Sequence, residues 1–143
     1  MSAGAEFAIE VEGLTKVYDM GDEKVHALRG VTQRFRQGEF WAIMGHSGSG
    51  KSTMLNILGC LDTPTQGSYV LHGRDVGGLS EGELARVRSK EIGFIFQSFQ
   101  LLPRQTAVQN VELPLVYGGV PSRERTARAA QLLERVGLHD KLD

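Results

Sequence analysis

The sequence predicts an α/β fold, and three observations carry that prediction. Phe40-Trp41-Ala42-Ile43-Met44 is a continuous apolar run that follows the turn residues Gln37-Gly38. Such a run bounded by turns reads as a strand buried on both faces, as in a sheet covered by helices. A glycine-rich loop, Gly45 to Gly50, follows it directly. Thr53 to Leu58 then reads as a helix stopped by Gly59.

The remaining elements fall around this unit. Ile9, Val11 and Leu14 open an alternating stretch that continues to Tyr18, a strand with one wet face. Gly21-Asp22-Glu23 is a turn, and Val25 to Phe35 is more strand. After the loop segment Asp62-Thr63-Pro64-Thr65-Gln66-Gly67, Ser68 to Leu71 is a short strand turned by His72-Gly73. Ser80 with Glu83 forms a capping box for a helix to about Lys90, and residues 92–96 form another apolar strand. Thr106 with Gln109 is a second capping box, ahead of a helix carrying Val108, Val111 and Leu115 on one face, with Pro114 expected to kink or end it. Ser122 caps the last helix, where Ala127, Ala130, Leu133 and Val136 share helical spacing and Gly137 ends it.

Composition narrows the function classes. A chain of 143 residues is about one ordinary domain of roughly 100–200 residues. The formal net charge of −1 gives no basic excess that would ask for nucleic acid, and no acidic block reads as a tail. Hydrophobic residues make up 41%, enough for a core. Eighteen glycines are nearly double the roughly 7% of ordinary usage, so the excess serves turns, helix ends or close backbone approach. The single Cys60 excludes an internal disulfide framework and a multi-thiolate zinc site; it fits a reducing compartment and reads as a buried inert thiol. The first ten residues lack the pattern of a secretory signal, and no apolar run approaches the ~18 residues of a membrane span.

Gly45-His46-Ser47-Gly48-Ser49-Gly50-Lys51-Ser52 matches G-x-x-x-x-G-K-[ST] in full, between a strand and a helix as that motif requires. The glycines let the backbone curl so that successive N–H groups point inward and no side chain blocks an oxygen. The helix that begins there aims its free N–H groups and positive dipole end at the same point. Lys51 places a compact charge against outer phosphates, Ser52 offers a hydroxyl to Mg²⁺, and Thr53 can bond a phosphate oxygen from the first helical turn. These residues support a site for Mg²⁺ and a nucleoside triphosphate.

From Ile9 to Leu142 the chain resembles the N-terminal part of an ABC transporter ATPase subunit, within the group serving lipoprotein-release and macrolide-export systems. The resemblance rests on the phosphate loop, the Walker A motif, and on further stretches. These are Gly13-Leu14-Thr15-Lys16-Val17-Tyr18, Val25-His26-Ala27-Leu28-Arg29-Gly30-Val31 and Leu55-Asn56-Ile57-Leu58-Gly59-Cys60-Leu61-Asp62. The most telling is Ile92-Gly93-Phe94-Ile95-Phe96-Gln97-Ser98-Phe99, with Leu101-Leu102-Pro103 and Asn110-Val111-Glu112-Leu113-Pro114-Leu115 behind it.

By that resemblance Tyr18 is the A-loop aromatic that stacks on adenine; from position alone it reads as an ordinary strand-end aromatic. Gln97 is the Q-loop glutamine, which completes the Mg²⁺ shell or positions water and feels the membrane partner; from position alone it equally well caps a strand. His46 stands where Pro is common in the group; it could respond to pH, and the plainer reading is a solvent-facing side chain. The implied fold is α/β, a P-loop NTPase core with an incomplete sheet, an N-terminal antiparallel β subdomain and the start of an α-helical subdomain. Residues 1–97 would be the ATP-binding core with A-loop, Walker A and Q-loop, and residues 98–143 the beginning of the helical subdomain.

The family's later motifs have no counterpart in the 143 residues. No apolar strand ends in the Asp-Glu pair of a Walker B. Leu79-Ser80-Glu81-Gly82-Glu83 matches the Leu-Ser-Gly-Gly-Gln signature at three of five places, but it precedes the Q-loop and its Ser80 and Glu83 are explained by capping. His139 is upstream of any switch histidine, and Asp62 reads as a turn residue. The expectations are ATP and Mg²⁺ binding, absent or very slow hydrolysis, and self-association or strand exchange through an exposed apolar strand edge. A permease partner would hold the longer protein on the cytoplasmic face of the membrane. The competing reading is a small nucleotide or metabolite kinase, for which Arg123, Arg125, Arg128 and Arg135 would have to form a lid; they read instead as a solvated helix face.

Overall fold

A computed structural model describes residues 6–21, 23–98 and 100–140. Asp22 of the first turn, Phe99 of the Q-loop stretch and the last three residues lie outside them. The chain divides into two compact units, one up to Ile92 and one from Gly93 on.

The first unit is built on two long strands, β1 (Phe7–Asp19) and β2 (Lys24–Arg36), paired antiparallel. Their alternation and the turn near Gly21 are what the sequence predicts. Gly38 closes β2 with a φ of +76°, which glycine adopts freely. β1 is not a regular alternation throughout. A bulge between Val11 and Leu14 adds one residue, so both side chains face the core although they are three apart. Gly13 supplies the left-handed backbone there at φ +59°, and its N–H donates to Thr32 Oγ1 at 2.9 Å.

After residues 45–50 comes α1 (Lys51–Leu58). Two short strands follow, β3 (Gln66–Leu71) and β4 (Arg74–Asp75), and the sheet order is β2-β1-β3-β4, antiparallel throughout. The β3–β4 turn uses His72 and Gly73 at φ +47° and +79°. α2 (Glu81–Glu91) begins at the expected capping box, where the Ser80 N–H donates to Glu83 Oε2 at 2.9 Å. The core lies where α1 and α2 meet one face of the sheet: Leu14, Leu28, Met54, Ile57, Tyr69, Leu71, Leu84 and Val87 are all buried. Cys60 is buried with them, and burial pushes its thiol pKa up, as for an inert thiol.

Two predicted strands are not formed. Residues 40–44 are irregular and largely exposed, with Phe40 at 96% and Met44 at 87% of full exposure. Residues 92–96 are irregular as well, and Ile95 is fully exposed. A strand buried on both faces exists only where neighbours supply ladder hydrogen bonds and cover. Among the described residues no strand pairs with either run. The described sheet is therefore the four-stranded antiparallel one, and the strand expected to lead into the phosphate loop is not part of it.

The second unit is a helical hairpin, α3 (Ala107–Tyr117) packed on α4 (Ser122–Arg135). Thr106 and Gln109 form the predicted capping box, Gln109 N–H donating to Thr106 Oγ1 at 3.2 Å and Thr106 N–H to Gln109 Oε1 at 2.9 Å. Pro114 lies inside α3, which ends three residues later. The last helix is capped by Pro121, one residue before the predicted Ser122. Its buried residues are Ala129 and Leu133, whereas Val136 is 70% exposed, so the buried stripe is rotated from the predicted one. Gly137, at φ +78°, ends it: Gly137 N–H donates to Glu134 O and Leu138 N–H to Leu133 O, a Schellman motif. No described helix is long and apolar enough to cross a membrane.

Candidate nucleotide site

The loop of residues 45–50 turns on positive-φ glycines: Gly48 at +78° and Gly50 at +89°. Gly50 is also the N-cap of α1, and the first helical hydrogen bond, Met54 N–H to Gly50 O at 2.9 Å, leaves the N–H groups of Lys51, Ser52 and Thr53 ahead of the helix ladder. Gly50 could not carry a side chain as the loop stands, and one on Gly45 would force the Ser49 hydroxyl aside. A Cβ on Gly45 would lie 2.6 Å from Ser49 Oγ, and one on Gly50 would lie 2.4 Å from Ala27 O of β2. The loop is thus wrapped closely against the β1–β2 hairpin.

Lys51 bends back over this loop. Its Nζ donates to Gly45 O and His46 O, both at 2.8 Å. These acceptors are neutral, and among the described residues no carboxylate pairs with the ammonium. A cation held at a helix N-terminus with no described carboxylate beside it is the arrangement an anion site would need. His46 is exposed, with Nδ1 2.7 Å from Ser47 O, in keeping with the plainer reading of that side chain.

Beside the loop is an open groove of about 360 Å³, lined by Tyr18, Val25, His26, Ala27 and residues 47–53. The structure therefore brings Tyr18 to the same groove as Ser47, Gly48, Ser49, Gly50, Lys51, Ser52 and Thr53. Gln97 belongs to the second unit, exposed in an irregular segment rather than at a strand end. The four arginines that a kinase lid would need do not form one cluster of free charges: Arg125 pairs with Glu112 at 3.5 Å and Arg128 with Glu124 at 3.0 Å.

A model of the ABC transporter family matches residues 28–143, most of the chain. The chain belongs to the ABC transporter family. An ABC transporter ATP-binding protein of Thermotoga maritima, itself uncharacterized, is 54% identical over 134 residues, covering 94% of this chain and 57% of that one. The macrolide export ATP-binding/permease protein MacB of Brucella abortus is 53% identical over 141 residues, covering 99% of this chain and 22% of that one. Two solved structures of the bacterial ABC transporter cassette MJ0796 superpose at 46% identity. One is a dimer, with a TM-score of 0.79; the other is a dimeric post-hydrolysis state bound to ADP and Pi, with a TM-score of 0.80. Each comparison covers 88% of this chain and 56% of the other. The chain thus spans just over half the length of the shorter relatives. These matches bear out the family resemblance and the α/β cassette fold, including its N-terminal antiparallel sheet.

One participant was missed by sequence reasoning. Asp62, which the sequence marks only as a turn residue, accepts from Tyr18 Oη at 2.8 Å and from Lys16 Nζ at 2.6 Å. A signal was present. Lys16 and Tyr18 are two apart on a strand and so share a face, where a cation and a phenol would both engage a carboxylate. Burial works against the charged Asp62, but hydrogen bonds from Lys16, Tyr18 and the Thr63 N–H outweigh it and hold the carboxyl below its usual range.

Proposed function

We propose that this chain is the nucleotide-binding part of an ABC transporter ATPase, taking ATP with Mg²⁺ at residues 45–53. The observation that carries the reading is the Lys51 ammonium, fixed at the N-terminus of α1 by two loop carbonyls and without a carboxylate partner among the described residues. The left-handed backbone of Gly48 and Gly50, at φ +78° and +89°, is the kind of turn that aims successive N–H groups at a phosphate chain. Lys51 meets the outer phosphates, the N–H groups of residues 48–53 receive phosphate oxygens, and the Ser52 hydroxyl serves Mg²⁺, an ion that keeps most of its shell from phosphates and water. Tyr18 stacks on the base from the rim of the groove. Bound ATP supplies the phosphoanhydride bond whose cleavage drives the transport cycle.

In the longer protein Gln97 completes the Mg²⁺ shell or positions water, and its loop reports the nucleotide state to a membrane permease on the cytoplasmic side. Export or lipoprotein release is the transport task most in keeping with a relative named for macrolide export. Residues 1–97 serve as the ATP-binding core and residues 98–143 as the start of the helical subdomain. The 143 residues themselves carry no Asp-Glu pair ending an apolar strand, so hydrolysis by these residues alone is absent or very slow. Titration with labelled ATP and Mg²⁺ tests the reading, with Lys51→Ala as control. A loss of affinity of about tenfold or more in the variant supports it; equal binding by the two chains refutes it.

A further inference from the structure

We propose that Asp62, together with Lys16, positions the Tyr18 ring to receive the base of a bound nucleotide. This rests on the reading of Tyr18 just given. Tyr18 lies near the end of β1, where an aromatic side chain free to change rotamer would lose that freedom on stacking. The structure holds it beforehand. Tyr18 Oη donates to Asp62 Oδ2 at 2.8 Å, while Oδ1 of the same carboxylate takes Lys16 Nζ at 2.6 Å and the Thr63 N–H at 2.7 Å. Lys16 Nζ also donates to Thr63 O at 2.7 Å and lies 5.0 Å from the Tyr18 ring centroid. Both carboxylate oxygens are engaged, and the Lys16 side chain is only 12% exposed, so the arrangement is not a loose surface pair.

Its place in the fold gives the clamp its meaning. Asp62 follows α1, whose other end is the phosphate loop, and Lys16 and Tyr18 belong to β1. The Val17 N–H donates to Thr65 Oγ1 at 2.9 Å, and the Thr65 N–H donates to Thr15 O at 2.8 Å, so Thr65 ties the turn to the strand on either side of Lys16. The carboxylate therefore ties the element that carries the base-stacking ring to the element that carries the phosphate cradle. It sets their separation before a nucleotide arrives, and it does so without touching the nucleotide. Asp62 is a positioning residue.

Calorimetric titration of the full chain with Mg-ATP and, separately, with inorganic tripolyphosphate tests this. Four variants are compared with the parent: Asp62→Ala, Tyr18→Phe, Tyr18→Ala and the double variant Asp62→Ala with Tyr18→Ala. Tyr18→Phe keeps the ring and removes only the hydroxyl, so it tests the clamp even if Asp62→Ala fails to fold. Asp62→Ala and Tyr18→Phe should each weaken ATP about fivefold and leave tripolyphosphate within about twofold, since only the base end loses its preorganisation. Tyr18→Ala should weaken ATP further, and adding Asp62→Ala to it should change nothing more. Equal losses for ATP and tripolyphosphate would show a merely structural role and overturn the proposal. Parent-like ATP binding by Asp62→Ala and Tyr18→Phe, with Tyr18→Ala impaired, would overturn the positioning role and leave the base-stacking reading standing. Parent-like ATP binding by Tyr18→Ala would remove that reading and the proposal with it.

Discussion

Replacing Gly50 by Ala should cost far more than replacing Gly48, although both are loop glycines with positive φ. At Gly48 the backbone sits at +78° and an added Cβ meets nothing within 4 Å. Only the conformational penalty applies, about 1–2 kcal/mol for an L-residue in the left-handed region. At Gly50 the same penalty holds at +89°, and the Cβ would lie 2.4 Å from Ala27 O and 3.2 Å from Leu28 Cδ2. The first is a main-chain atom of β2 and cannot swing aside, so α1 or the strand must move. Overpacking of this kind adds about 1–3 kcal/mol, for a total of roughly 2–5 kcal/mol. Urea unfolding, followed by circular dichroism and by the fluorescence of the sole tryptophan, Trp41, gives both values. Equal destabilisation by the two substitutions would refute the close approach of the loop to β2.

Other outcomes follow from the same geometry. The Asp62 carboxyl is held below its ordinary range, so its folded form is stabilising above the unfolded pKa of about 4 and loses that contribution as pH falls through the lower folded value; the gap in thermal midpoint between the parent and Asp62→Ala should be constant near neutrality and close below about pH 4. Thr106→Ala removes the hydroxyl that accepts the Gln109 N–H and should destabilise the α3–α4 hairpin by about 1 kcal/mol in denaturant titration, with tripolyphosphate affinity at the phosphate loop unchanged. Phe40, Met44 and Ile95 leave large apolar surface exposed, so light scattering on this chain alone should show mass rising with concentration; a monomer at high concentration would contradict it.

What was legible in the sequence was whatever short-range chemistry decides. The phosphate loop needs only glycines, Lys51 and a helix start in order. The capping boxes at Ser80 and Thr106 each close within four residues. β1 and β2 were visible because their alternation and their turn are local, and one hairpin satisfies both. The runs at 40–44 and 92–96 were misread for a complementary reason. Apolar continuity says that a segment would be stable when covered, but a strand needs partners, and none of the described strands pairs with either. The bulge at Gly13 and the rotated face of α4 were hidden because each depends on what packs against it. In α4 the alternatives Ala127 and Ala129 are alike in composition and differ only in direction. Asp62 was passed over because its partners, Lys16 and Tyr18, are more than forty residues away along the chain.

The central claim is that residues 45–53 form the phosphate cradle, and amide hydrogen exchange with and without Mg-ATP tests it most directly. The N–H groups of Lys51, Ser52 and Thr53 precede the α1 ladder and are open to protection by phosphate oxygens. Saturating Mg-ATP should slow exchange in the peptide spanning residues 45–53, and Lys51→Ala should abolish that protection while leaving exchange in β1 and β2 at parent levels. Unchanged exchange at residues 45–53 under conditions where ATP is bound would place the nucleotide elsewhere and contradict the account.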